Sequence, residues 1–255
     1  AGSSFDKSLS GNAISSRETN PTGVAFNLDF SRMMVVGESA DAVLSYTLST
    51  TGDISTATFV SSFSVSSQET TLQDVTFSPD GLKMYVVGTV QDTVFQYTLT
   101  SAFDVSTASY ASKSFSVGSE ATSPFSLRFK PDGTKLYVSD YSTQRIYQYT
   151  LTTAFDVSTA SVDSGVTFYF GTQDNEPSSF EFTPDGKQLY MLGQQHDKIR
   201  RYTFTTGFDL STGSYVSDEL SVGSQDNQPS GMAIDFINAK IYTVGYQNDT
   251  AYQYN

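Results

Sequence analysis

The chain has 255 residues, with 27 acidic against 14 basic side chains, a formal charge of −13, no Cys, no Trp and one His. These counts exclude a disulfide framework, a thiolate metal site and a two-histidine zinc site. They also argue against a phosphate-tracking nucleic-acid surface, which needs clustered Lys and Arg. No run of about 18 apolar residues occurs, so no segment reads as a membrane-spanning helix. Only 16 % of residues are charged, while Tyr (16) and Phe (19) are plentiful, a mix that suits strands joined by turns. Ala1 in place of a methionine points to a processed or excised chain, with no signal peptide left to read.

In chain order, the first apolar run is Met33-Met34-Val35-Val36, following Phe26. The same pattern returns three times with a sharper turn: Phe77-Ser78-Pro79-Asp80-Gly81, Phe129-Lys130-Pro131-Asp132-Gly133 and Phe182-Thr183-Pro184-Asp185-Gly186. Each precedes a run such as Met84-Tyr85-Val86-Val87, and a last, weaker copy runs from Ile234 to Val244. The anchors at 26, 77, 129, 182 and 234 are spaced by 51, 52, 53 and 52 residues, so five repeats are present.

Within repeat two, four strands are expected, at about 74–77, 83–87, 93–99 and 114–117. The third shows a period of two, with Phe95, Tyr97 and Leu99 alternating with Gln96 and Thr98. Pro, Asp and Gly suit the tight turn between the first two strands. Asn238 stands at the glycine position of the last copy, a residue tolerated in the left-handed region. Phe30 stands there in the first, where a different turn is expected. Asp53, Asp104, Asp156 and Asp209, each followed by Ile, Val or Leu and then Ser-Thr, read as Asx-type turns.

Four strands repeated five times define an all-β chain, a five-bladed β-propeller of four-stranded antiparallel blades. Residues 1–25 and 234–255 together number 47, close to one more repeat. The fifth repeat is therefore split between the termini, within a single domain over 1–255. The expected clasp pairs a strand near residues 9–15 with residues 250–254. Phe95 and Tyr97, with Leu44/Tyr46, Tyr147/Tyr149, Arg200/Tyr202 and Tyr252/Tyr254, are expected to pack between blades.

The pattern Phe-x-Pro-Asp-Gly-x-Lys-Leu/Met-Tyr-Val resembles the repeats of YVTN- and NHL-like β-propellers, found among surface, secreted and phage-encoded proteins. The resemblance covers nearly the whole chain, fully in three copies. It implies a fold and no single activity.

No Gly-x-Ser-x-Gly elbow, phosphate-binding loop, zinc-binding His pair or EF-hand loop is present. Acids and amides do recur where one repeat joins the next: Arg17-Glu18, Gln68-Glu69, Glu120-Ala121, Gln173-Asp174 and Gln225-Asp226. Asp41, Asp92, Gln144, Asp197 and Asp249 recur between the second and third strands. Strand alternation brings both sets to one end of the ring. They can cap turns. They can bind sugar hydroxyls, with Tyr141, Tyr246 or His196 offering ring faces for stacking. They can hold a cation such as Ca²⁺, with Glu18, Glu69, Asp174 and Asp226 as ligands. The candidate ligand-binding set is Gln68, Glu69, Gln173, Asp174, Gln225, Asp226, His196 and Tyr246. No catalytic residue stands out, because these acids recur in every blade, whereas an active site should break the repeat.

The resulting expectation is a non-enzymatic recognition or structural module of a secreted, cell-surface or virion protein. It would bind a glycan or surface protein through that end, or belong to a larger assembly. The alternative is a five-bladed glycosidase with two carboxylates at the central funnel.

Overall fold

The computed structural model describes residues 4–9 and 13–255. A short strand, β1 (Phe5–Ser8), comes first. Blade one follows as β2 (Pro21–Phe26), β3 (Arg32–Gly37), β4 (Ala42–Leu48) and β5 (Ala57–Ser64). Blade two is β6 (Leu72–Phe77), β7 (Lys83–Gly88), β8 (Thr93–Leu99) and β9 (Ala108–Ser116). Blade three is β10 (Pro124–Phe129), β11 (Lys135–Asp140), β12 (Arg145–Leu151) and β13 (Ala160–Tyr169). Blade four is β14 (Pro177–Phe182), β15 (Gln188–Gly193), β16 (Lys198–Phe204) and β17 (Gly213–Ser221). Blade five has β18 (Pro229–Asp235), β19 (Lys240–Gly245) and β20 (Thr250–Tyr254), with β1 as its fourth strand.

Five antiparallel four-stranded sheets thus form a ring, and β1 against β20 closes it. The clasp lies earlier than the spacing predicts: Phe5 pairs with Tyr254 and Ser8 with Tyr252. Of the expected segment, Leu9 donates its N–H to Ala251 and accepts the Thr250 hydroxyl, and residues 10–12 lie outside the described set. The outer strand of blade two also begins earlier than expected, at Ala108, because its exposed face is rich in Ser and carries no apolar periodicity to mark it.

Blades are held together by apolar layers and by a repeated polar tie. Tyr46, Tyr97, Tyr149, Tyr202 and Tyr254 are buried in these layers. Tyr85 Oη donates to the Phe155 carbonyl at 2.7 Å and Tyr137 Oη to Phe208 at 2.8 Å. Tyr242 Oη donates to Gly52 at 3.0 Å, carrying the same tie from blade five to blade one. Asp53, Asp104, Asp156 and Asp209 each cap a single 3₁₀ turn, accepting the backbone N–H two residues on, as the Asx reading predicts.

The inner turns explain an exchange between repeats. Gly81 has φ +68°, and a Cβ there would lie 2.3 Å from the Phe103 ring; Gly133 against Phe155 and Gly186 against Phe208 repeat this. Blade one swaps the pair. Phe30 takes the turn position at φ 56°, and Gly52 stands where Phe103 would be. The turn at Phe30 is therefore not of a different kind: Phe30 N–H closes on Asn27 as Gly81 N–H closes on Ser78. In blade five the left-handed residue is Ala239 rather than Asn238, whose side chain instead donates to Asp235 at 2.7 Å. Gly81→Phe alone is expected to cost about 3 kcal/mol through overpacking. Gly81→Phe with Phe103→Gly rebuilds the blade-one arrangement and should recover most of that loss. Urea unfolding of both variants checks it.

Candidate functional site

The predicted acids sit together at one end of the ring, where Glu18, Glu69, Asp174 and Asp226 bond within their own blades. Asp92, Asp197, Asp226 and Asp249 each keep one buried carboxylate oxygen that has no hydrogen-bond partner among the described residues. Buried Glu18 accepts the N–H groups of Asn20 (2.7 Å) and Ala40 (3.0 Å), and Glu69 those of Thr71 (3.0 Å) and Gln91 (3.1 Å). Asp174 accepts Glu176 N–H at 3.0 Å and the Arg200 guanidinium at 2.6 Å, with His196 Nδ1 at 3.4 Å. Asp226 accepts Gln228 N–H at 2.8 Å, and burial pushes its carboxyl up. Gln68 accepts the Tyr97 hydroxyl at 3.2 Å, while Gln173 and Gln225 close turns through their backbone N–H groups. His196 is exposed, and Tyr246 is half-buried with its phenol pushed up by burial.

A glycine across from each acid makes room for the carboxylate. A Cβ at Gly37, Gly88, Gly193 or Gly245 would meet the side chain of Glu18, Glu69, Asp174 or Asp226 at 2.3–2.6 Å. Blade three exchanges the two, with Ala121 at the acid position and Asp140 at the glycine position. Asp140 then accepts Ser123 N–H at 2.7 Å and Thr143 N–H at 2.8 Å. A carboxylate that changes strand yet keeps its backbone donors is acting as a loop cap. Among the described residues, no three His, Asp or Glu side chains converge to hold a metal ion.

The break in symmetry lies instead on the central axis, on the innermost strands. Successive side chains of a strand point to opposite sides. The fourth residues, Val24, Val75, Leu127, Phe180 and Met232, are buried in apolar layers. The third and fifth face the other way and form two tiers. The third positions are Gly23, Asp74, Ser126, Ser179 and Gly231; the fifth are Ala25, Thr76, Arg128, Glu181 and Ala233. Small residues dominate because five strands crowd the axis: a Cβ at Gly231 would stand 2.7 Å from the Thr22 carbonyl.

Three of these ten residues are ionisable and have no counterpart in other blades. Arg128 reaches from blade three across the axis. Its Nη1 donates to Asp74 Oδ2 at 2.6 Å, its Nε to Glu181 Oε2 at 2.7 Å, and its Nη2 to the Met232 carbonyl at 3.1 Å. One long planar cation thereby ties blades two, three, four and five. Asp74 Oδ2 also accepts Ser126 Oγ at 2.6 Å and Leu127 N–H at 3.1 Å.

Side-chain exposure grades outward, from 3 % for Asp74 through 9 % for Arg128 to 23 % for Glu181, which makes Glu181 the member that meets solvent. Burial opposes the charge on Arg128, but the two carboxylates outweigh it and hold the guanidinium ionised. Burial pushes the Glu181 carboxyl up, against the pull of Arg128.

All five residues of the outer tier line a cavity of about 290 Å³. It opens at the end carrying the Phe-x-Pro-Asp-Gly turns, opposite the recurring acids, and lies between blades one and two. Its walls include Phe26, Phe30, Phe77 and Phe103, and the charged pair Arg128 and Glu181 stands at its axial end. Sequence reasoning missed Asp74, Arg128 and Glu181 because their strands were read for apolar pattern alone. The signal was available: in the aligned inner strands, Ala, Thr, Arg, Glu, Ala at one position and Gly, Asp, Ser, Ser, Gly at another are columns that fail to repeat and carry all three of these charged side chains.

These features define a closed β-ring with a lone ionic cluster on its axis, beneath a cavity. Residues 26–213 match the model of a family described as "Lactonase, 7-bladed beta-propeller". The chain belongs to that family, with five blades in its own ring. Among solved structures it is similar to a Bacteroides uniformis protein described as a "putative 6-phosphogluconolactonase" (17 % identity, 86 % of this chain and 60 % of that one, TM-score 0.51). It is also similar to a Lactobacillus plantarum protein (15 %, 91 % and 66 %, 0.56) and to a functionally unknown protein from Desulfotomaculum acetoxidans (15 %, 94 % and 86 %, 0.53). The chain thus spans somewhat under two thirds of the length of the first two. No curated protein matches it in sequence.

The family corrects the expectation of a non-enzymatic recognition or structural module: this is a propeller of an enzyme-type family. The keywords that went with that module, an extracellular, carbohydrate-binding structural protein, fall with it. The β-propeller expectation stands, while no YVTN or NHL family is matched.

Proposed function

We propose that the chain is a hydrolase that opens a small lactone at the axial cavity. The observation that carries this reading is that Arg128 and Glu181, ionisable side chains on the axis without a counterpart in other blades, line the inner end of that cavity; the family match supports the reaction class.

Lactone opening needs a base for the attacking water and a positive group for the carbonyl oxygen as it becomes an oxyanion. Glu181 is the outermost carboxylate of the cluster and the base. It takes a proton from water as the water oxygen bonds to the carbonyl carbon. Arg128 stabilises the negative charge that develops on the carbonyl oxygen. Collapse of the tetrahedral intermediate breaks the ring C–O bond, and protonated Glu181 returns its proton to the departing alkoxide. The product is a hydroxy acid.

Asp74 is a positioning residue. It fixes the guanidinium and is itself held by Ser126 and Leu127, so Arg128 stays in place without reorganising. A pH-stat assay on simple lactones tests the reading. Release of acid that depends on Glu181 is expected, and a wild-type protein inert on every lactone offered would overturn it.

A further inference from the structure

Taking lactone hydrolysis as the reaction, we infer that the substrate is an uncharged lactone bearing an apolar chain, and that phosphorylated lactones are excluded. Arg128 is the only Lys or Arg among the residues lining the cavity. Two carboxylates already hold it, at 2.6 and 2.7 Å. The cluster therefore sets one cationic side chain against two carboxyl groups, inside a chain of formal charge −13. A phosphate brought to this end would meet Glu181, with Asp74 buried behind Arg128 and no free cation to offset them, and like charges in a site of low polarity repel strongly. A neutral ring meets no such barrier.

The rest of the cavity is built for hydrocarbon. Phe26 and Phe30 of blade one face Phe77, Pro79 and Phe103 of blade two. Phe30 packs on Phe26 at 5.0 Å as Phe103 does on Phe77 at 5.5 Å, so the Phe–Gly exchange in blade one keeps an aromatic ring on this wall. Leu28, 70 % exposed, extends it to the rim, where blades two, three and four carry proline at the equivalent position. At about 290 Å³ the space is near the lower end of ligand pockets, enough for a ring with a short chain.

The decisive comparison is kcat/KM for δ-decalactone, δ-valerolactone and 6-phosphoglucono-δ-lactone. Each buried methylene is worth about fourfold, so the five-carbon chain of δ-decalactone should give it an advantage of at least about 30-fold over δ-valerolactone. Leu28→Asp should narrow that ratio, and the phosphorylated lactone should be inert. Equal rates on the two neutral lactones, or fastest turnover of the phosphorylated one, would overturn the inference and leave lactone hydrolysis standing. If no lactone is opened, the hydrolytic reading fails, and calorimetric titration then decides the substrate class. Binding of δ-decalactone but not of the phosphorylated compound supports it, and any other binding result overturns it.

Discussion

Glu181→Gln is expected to lower kcat/KM for lactone hydrolysis by about 100-fold or more, the usual contribution of a positioned general base. The substitution keeps the side-chain volume and leaves Arg128 paired with Asp74, so the ring should stay folded. The pH profile separates a base from a merely structural carboxylate. The ionised form is the active one, and burial raises the Glu181 pKa above its ordinary value. In wild type, kcat/KM should therefore climb with pH through a midpoint above about 4.3, the ordinary glutamate value, and then level off.

The variant should show no such limb. The linkage has a definite sign as well. A carboxyl whose folded pKa is raised favours the native state below its unfolded pKa, and that contribution is lost as pH rises through the folded value. Glu181→Gln mimics the protonated form and removes this loss, so its stability at pH 7 should match or exceed that of wild type. A variant that keeps both full activity and the acidic limb would eliminate Glu181 as the base.

Arg128→Met should be the most destabilising single change on the axis. It fills a similar space but leaves Asp74 and Glu181 facing each other in a buried site without their shared cation. Breaking a buried ion pair from one side costs about 3–5 kcal/mol. For a domain of this size that corresponds to a fall in Tm of roughly 10 °C. The deficit should be greatest near pH 8 and shrink toward pH 4.5, because protonation removes the unpaired charges. Asp74→Asn, Arg128→Met and Glu181→Gln together should recover much of the loss, since no uncompensated charge then remains. Thermal melts of both proteins across that pH range measure the effect. An Arg128→Met protein as stable as wild type at pH 8 would mean that the cluster does not hold the inner strands together.

The two exchanges between repeats show how far pseudo-symmetry is a matter of filled volume and satisfied donors rather than residue identity. Phe30 and Gly52 reverse the Gly81–Phe103 pair, and Asp140 with Ala121 reverses the Gly88–Glu69 pair, yet the ring fills and each cap keeps its backbone donors. Read singly, Phe30 and Ala121 look like failures of the motif. Read with the residue that each one faces, they preserve it.

The architecture was legible without coordinates. A repeat of 51–53 residues, tight turns and a period-two aromatic pattern are local properties of the chain, and a split final repeat implies a ring closed by its own N-terminal strand. Where Asp74, Arg128 and Glu181 meet was not legible, because they come from three blades, some fifty residues apart in succession, and touch only where the inner strands converge. The recurring acids were more conspicuous in the sequence, but Glu18, Glu69 and Asp226 turn out to accept backbone N–H groups of neighbouring loops, which a sequence does not display. Local patterns determined the blades; convergence of the blades on a narrow axis, where one guanidinium can span several strands, decided where the chemistry sits.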